Sequence, residues 1–152
     1  MCTLKQLSDL DLEAQHKARP NFPKEYLVRT KFTDKTSAGL EKCIVAYIKL
    51  NGGMAERRKN TGRVIDDRKI VTDTLGHQRV LGGTRYVPGT GRNGTPDCSG
   101  IWKGRPIGIE VKIGKDRMSQ AQIEYREDFE KAGGIFIIAK TFTQFVEELN
   151  KV

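Results

Sequence analysis

Apolar residues alternate along residues 106–113, with Ile107, Ile109, Val111 and Ile113 on one side and Gly108, Glu110 and Lys112 on the other. That is the period of a β-strand. A shorter run, 98–102, also reads as a strand, and Lys103-Gly104 between the two has the form of a tight two-residue hairpin turn. A turn centred there sets Trp102 against Arg105, Cys98 against Ile109 and Asp97 against Glu110. Directly opposed residues hold their Cβ atoms about 4.5–5.5 Å apart. Upstream, Leu40, Cys43, Ile44, Tyr47 and Ile48 recur at helical spacing, with Lys42 and Lys49 opposite. Thr36 or Ser37 supplies the cap of this helix and Asn51-Gly52-Gly53 its end. Residues 54–58 read as a first strand leading into Arg57-Arg58-Lys59.

Downstream, residues 119–132 predict a helix with Ile123 and Phe129 inward, closed by Gly133-Gly134. Residues 135–139 form a wholly apolar run of the kind buried on both faces as a central strand. Phe142, Phe145, Val146 and Leu149 mark a closing amphipathic helix. At the other end, Leu4, Leu7 and Leu10 give residues 3–18 a helical pattern that Pro20 and Pro23 stop. The expected organisation is an accessory helix and connector over 1–35, followed by a domain over 36–152. Its element order predicts an α/β sandwich, a mixed central sheet flanked by helices.

Charge adds a partner to this picture. Lys and Arg outnumber Asp and Glu by 27 to 19 in 152 residues, a net charge of +8. Nucleic acid is the default partner for such a surplus, solubility the bland alternative. Residues 55–92 hold nine cations against four acids, five of the eight surplus charges. The Gly, Asn, Thr and Asp content of this insertion, about 60–92, with a turn at Thr74-Leu75-Gly76-His77, predicts loops or a small hairpin. Such a segment either grips phosphates or is a solvated loop. Arg57, Arg58, Lys59 and Arg92 are its candidate contacts.

Gly89, Gly91 and Gly94 surround Arg92 and Asn93 and read as backbone flexibility. They lack the Lys-Ser/Thr of a nucleotide-binding loop, so no nucleotide cofactor is expected. Cys2, Cys43 and Cys98 form neither a disulfide framework nor a zinc motif, and fit a reducing cytoplasmic setting. His16 and His77 lie among polar neighbours and read as solvated. No stretch has the length or apolarity of a membrane span.

The candidate chemistry sits at the hairpin. Two carboxylates facing each other, Asp97 and Glu110, repel, and a hard divalent cation resolves the repulsion, because Mg²⁺ is commonly held by one or two carboxylates plus waters. The alternative is a solvated sheet face on which Glu110 pairs with Lys112. Glu41 lies at the edge of the apolar stripe of its helix. It either extends the metal shell, holds a second ion or orients water, or simply favours the helix dipole. Ser119-x-x-Gln122 is a capping box. Lys115 and Arg117, just after the second hairpin strand, are candidate phosphate contacts.

Gly94-x-Pro96-Asp97, a spacer, Glu110-x-Lys112 and a helix opening Ser119-Gln120-Ala121-Gln122 together resemble the PD-(D/E)xK nuclease superfamily, and within it the VRR-NUC family of structure-selective nucleases. The resemblance spans roughly residues 36–145. It implies a restriction-endonuclease-like sandwich and a divalent-metal-dependent endonuclease acting on DNA, branched DNA or junctions above all. Asp97, Glu110 and the backbone carbonyl of Val111 would bind Mg²⁺ or Mn²⁺, and Lys112 would hold the attacking water. Glu41 and Gln122 match the helical Glu and Gln of the superfamily; the role of Gln122 there competes with its role in the capping box. Stand-alone members imply a homodimer. The insertion between residues 60 and 92 is longer than the family's usual link. A non-catalytic nucleic-acid-binding subunit of the same fold and a sequence-specific restriction-type enzyme are the alternatives.

Overall fold

Lys103 and Gly104 both take positive φ, 48° and 80°, the combination a two-residue type I′ turn requires. That turn fixes the pairing of the strands it joins. In the computed structural model, which describes residues 2–58, 62–89 and 91–152, β6 (Cys98–Trp102) and β7 (Arg105–Val111) are antiparallel. Trp102 is opposite Arg105 and Cys98 opposite Ile109. On the far edge of β6 runs β1 (Met54–Arg57), also antiparallel. On the far edge of β7 runs β8 (Ile135–Ala139), in parallel. The result is a mixed four-stranded sheet in the order β1-β6-β7-β8.

This order corrects one expectation. The apolar run 135–139 is an edge strand, and β6 and β7 are the two with neighbours on both sides. Its burial comes from helices covering both faces, a source of apolarity that the sequence cannot distinguish from a central position. One face packs on α2 (Ser37–Leu50) and α4 (Phe142–Asn150), capped by Thr36 and Thr141. Ile107, Ile109, Val111, Ile137 and Ala139 point into this layer with Leu40, Ile44, Ile48, Phe142, Phe145 and Leu149. Tyr47 closes it edge-on against both Phe142 and Phe145. Each such large apolar side chain contributes about 1.5–3 kcal/mol relative to an exposed position.

The opposite face of the sheet packs on α3 (Gln120–Lys131), where Phe129 meets Phe136 edge-on. Ile123 does not point inward as its spacing predicts; it is exposed. Phe129 and Tyr125, stacked on each other, cover the sheet instead, and α3 has no fully buried residue.

α1 (Leu4–Ala18) begins at a Thr3–Gln6 capping box and inserts Leu7, fully buried, into the α2 layer. Ser8 Oγ donates to the Thr30 carbonyl (2.7 Å), and Asp34 Oδ2 accepts the Phe142 N–H (3.1 Å). These bonds tie the connector after α1 to the core.

Residues Met1–Arg58 and Asn93–Val152 form one compact unit, and Lys59–Arg92 a second. The second unit is an arm of four short strands. β2 (Arg63–Asp66) pairs with β5 (Thr84–Val87), and β3 (Lys69–Thr72) with β4 (Gln78–Leu81), all antiparallel. Asp73 organises the tip by accepting the N–H groups of Leu75 and His77.

Candidate metal and phosphodiester site

β7 and the loop entering β6 bring the two carboxylates together. Pro96 is buried against Gly108 of β7, where a side-chain Cβ would come 3.3 Å from the proline ring. Asp97 follows directly and is anchored at both ends. Its carbonyl accepts the Arg58 N–H (2.7 Å), and its Oδ2 accepts the Val111 N–H (2.9 Å). The N–H and C=O of a strand residue leave on the same edge. The Val111 carbonyl therefore also opens toward the Asp97 side of β7.

Gly94 sets the approach to this turn. It takes φ +81°, and a Cβ there would stand 2.0 Å from the Ala121 carbonyl in the first turn of α3. The glycine therefore serves a left-handed conformation and close packing, not the flexibility its surroundings predict.

Glu110 is only 2% exposed and Lys112 only 7%, so the solvated-face reading of this strand does not hold. Glu110 Oε1 receives two donors, Gln122 Nε2 at 2.5 Å and Lys112 Nζ at 3.1 Å. Glu110 Oε2 is buried and has no hydrogen-bond partner among the described residues. A carboxylate oxygen left bare in the interior costs free energy on the order of 1–3 kcal/mol or more, and this one belongs to the residue that follows the Cys98–Ile109 pair on β7 and feels the charge of Asp97.

The electrostatics agree with the geometry. Burial pushes the Glu110 carboxyl above its ordinary range and the negative charge of Asp97 adds to the effect, against the opposing pull of Lys112. For Lys112, burial works against the charged form, but the bonds to Glu110 and Asp116 outweigh it, and its pKa rises. The ammonium is thus held protonated. Asp116, four residues on, supplies the second anchor at 3.4 Å. Sequence reasoning missed this residue; the i+4 spacing from Lys112 was the only signal available.

Gln122 joins both of its candidate roles. Its Oε1 accepts the Ser119 N–H (2.9 Å) to complete the capping box, while its Nε2 holds Glu110. Glu41 belongs to the α2 side of the sheet, where its carboxylate accepts from Arg57 Nε at 2.6 Å. Between these groups lies Cys98, whose thiol is pushed up to about 12 by burial first and then by Glu41 and Asp97. It is a core residue and no nucleophile. Arg58 Nε donates to Ser99 Oγ (2.8 Å), placing its guanidinium beside the strand that Asp97 begins. Lys115 and Arg117 are exposed on the segment after β7. Arg92 belongs to the second unit, and Lys59 lies outside the described residues.

Among the described residues, no group of three or more His, Cys, Asp or Glu is placed to hold a metal ion. The set present is smaller: two carboxylates, one with a bare buried oxygen, and a main-chain carbonyl. That set fits a hard cation that retains several waters, as Mg²⁺ does. It does not fit zinc, which asks for nitrogen and sulfur donors. Among the described residues no helix is long and apolar enough to cross a membrane. No family model matches the chain, and no curated protein matches it significantly.

Proposed function

We propose that this chain is a divalent-metal-dependent endonuclease that hydrolyses phosphodiester bonds in DNA, with branched DNA or junctions as preferred substrates. The observation that carries the proposal is the Glu110 carboxylate. Lys112 and Gln122 hold one of its oxygens, the other is buried without a partner among the described residues, and Asp97 lies near enough for its charge to act on it. The four-stranded mixed sheet between α2/α4 and α3 is compatible with the restriction-endonuclease-like sandwich that the motif resemblance implies.

Asp97, Glu110 and the Val111 carbonyl would hold Mg²⁺ or Mn²⁺. Bound there, such a cation would polarise the scissile phosphate and acidify a coordinated water. Lys112, kept cationic in its buried setting, would hold the attacking oxygen by hydrogen bonding and stabilise the charge that develops on the phosphate. Gln122 positions Glu110. Glu41 holds Arg57, and Arg57 with Arg58, Lys115 and Arg117 would contact neighbouring phosphates, which supply affinity without sequence information. The resemblance further implies a homodimer, and three free cysteines fit a reducing, cytoplasmic setting.

Incubating the protein with labelled four-way junction, flap, single-stranded and linear duplex DNA, in Mg²⁺, Mn²⁺ or EDTA and beside Asp97→Ala, tests the reading. Metal-dependent cutting that Asp97→Ala loses is the expected result. Binding without cutting under every condition supports a non-catalytic subunit instead, and cuts confined to one sequence support a restriction-type enzyme.

A further inference from the structure

In each strand pair of the unit formed by β2–β5, two cations share one face. Asp66 is opposite Thr84 and Lys69 opposite Leu81, so Asp67 and Arg68 fall between, facing Gly83 and Gly82. The Asp67 N–H donates to the Gly83 carbonyl (3.1 Å) and the Gly83 N–H to Asp67 Oδ1 (2.8 Å), which joins the two strand pairs across the gap. Strand alternation then sorts the side chains. In the β2–β5 pair one face takes Arg63 and Arg85 with Ile65 and Val87, and in the β3–β4 pair one face takes Lys69 and Arg79 with Val71 and Leu81. The opposite faces take Val64, Asp66, Thr84 and Tyr86 in the first pair and Ile70, Thr72, Gln78 and Val80 in the second.

The acids of the arm are already committed. Asp66 receives Arg68 through two bonds, at 2.8 and 2.6 Å. Asp67 accepts the Gly83 N–H, and Asp73 caps the tip. Arg63, Lys69, Arg79 and Arg85, by contrast, make no side-chain hydrogen bond or ion pair among the described residues. They are divided between the two strands of the ribbon, Arg63 and Lys69 on the outgoing side and Arg79 and Arg85 on the returning one. The arm has no core of its own: Ile70, Val80 and Tyr86 are each more than 60% exposed, at 69%, 63% and 65%. An isolated two-stranded ribbon is marginally stable in water.

We infer that this ribbon is a duplex-DNA-binding element whose two basic faces, Arg63/Arg85 and Lys69/Arg79, lie in a groove, with each strand's cations toward one of the two phosphate backbones that border it. Charge complementarity selects the partner. Two rows of unpaired cations match two rows of phosphates, and the major groove of B-DNA is about 12 Å wide and admits a two-stranded ribbon. The apolar residues between the cations would meet base edges and thymine methyl groups. The choice of DNA as the polyanion rests on the nuclease reading; the placement of the cations does not.

The test is duplex binding by the full chain in EDTA, followed by fluorescence anisotropy across a salt series, so that binding is read without cutting. The variants are Arg63→Gln/Arg85→Gln and Lys69→Gln/Arg79→Gln. The control Asp66→Asn/Arg68→Gln removes the self-paired charges without changing the net charge. Each basic-face pair should reduce the salt slope by about one per cation removed, and weaken duplex more than single-stranded DNA, while the control leaves both unchanged. Circular dichroism confirms that the variants stay folded. An unaltered slope, an equal loss in the control, or an equal loss on single strands overturns the inference. So does binding that depends on Val80→Ser/Tyr86→Ser and not on the basic face. Cleavage measured on the same variants separates the two readings. Absent cleavage with slopes lowered as expected leaves the ribbon standing; metal-dependent cleavage with unaltered slopes removes the ribbon and leaves the nuclease.

Discussion

Gln122 Nε2 and Lys112 Nζ converge on the same oxygen of Glu110, at 2.5 and 3.1 Å, and the opposite end of the Gln122 amide caps α3 at Ser119. One side chain thus links the start of a helix to the carboxylate at the centre of the proposed site.

This linkage separates structure from catalysis by two substitutions. Ser119→Ala removes the hydroxyl that accepts the Gln122 N–H and should cost about 1 kcal/mol of stability. Gln122→Ala removes the cap and the Glu110 contact together. Partners that orient a metal ligand are typically worth about 10–100-fold in activity or metal affinity. Gln122→Ala should therefore lose cleavage by that factor, while Ser119→Ala, with a comparable drop in thermal midpoint, cuts at close to the wild-type rate. Equal rates in the two variants would reduce Gln122 to a cap.

The raised pKa of Glu110 predicts a pH signature in the metal-free protein. Burial is its main cause, with Asp97 adding. The folded state holds the Glu110 proton more tightly than the unfolded chain, whose glutamates titrate near about 4.3. Its contribution to stability is present in full below that pH and is lost as pH rises through the raised folded value. Urea midpoints in EDTA should show this falling component in wild type and not in Glu110→Gln. Above that range, Mg²⁺ should restore stability to wild type alone, by about 2.7 kcal/mol at a hundredfold excess over its Kd. Identical pH slopes in both proteins would contradict the assignment.

Gly94 offers a test of the scaffold. Alanine there must adopt φ +81° and place its Cβ 2.0 Å from the Ala121 carbonyl. The left-handed conformation alone costs roughly 1–2 kcal/mol, and relief of the clash must move either the Asp97 turn or α3. Gly94→Ala should lower the urea midpoint and reduce cleavage together. Gly104→Ala, also at positive φ but with open space around it, should lower stability and spare cleavage.

Much of this arrangement was legible in the sequence because short-range rules govern it. The Lys103-Gly104 turn sets the register that opposes Cys98 and Ile109, and the cap at Thr36 and the apolar stripe of α2 follow from local pattern. The parts that were not legible depend on tertiary partners. β8 is apolar because two layers of helix cover an edge strand, and Ile123 is exposed because Tyr125 and Phe129 take the sheet face. At the site, the nearness of the two carboxylates could be read from register. That Glu110 keeps one oxygen bare could not, because it depends on where Gln122 and Lys112 reach. Glu41 was readable as an inward carboxylate, but its engagement with Arg57 joins residues 16 apart and leaves no periodic trace.

The most direct test of the central claim follows cleavage and DNA binding on the same samples of wild type, Lys112→Ala and Glu110→Gln, each with Mg²⁺, Mn²⁺ or EDTA. Wild type should cut with either metal and not in EDTA, and both variants should bind the same DNA without cutting it. Undiminished cleavage by Lys112→Ala or Glu110→Gln, or wild-type cleavage that persists in EDTA, would contradict the assignment of this site as a metal-dependent hydrolytic centre.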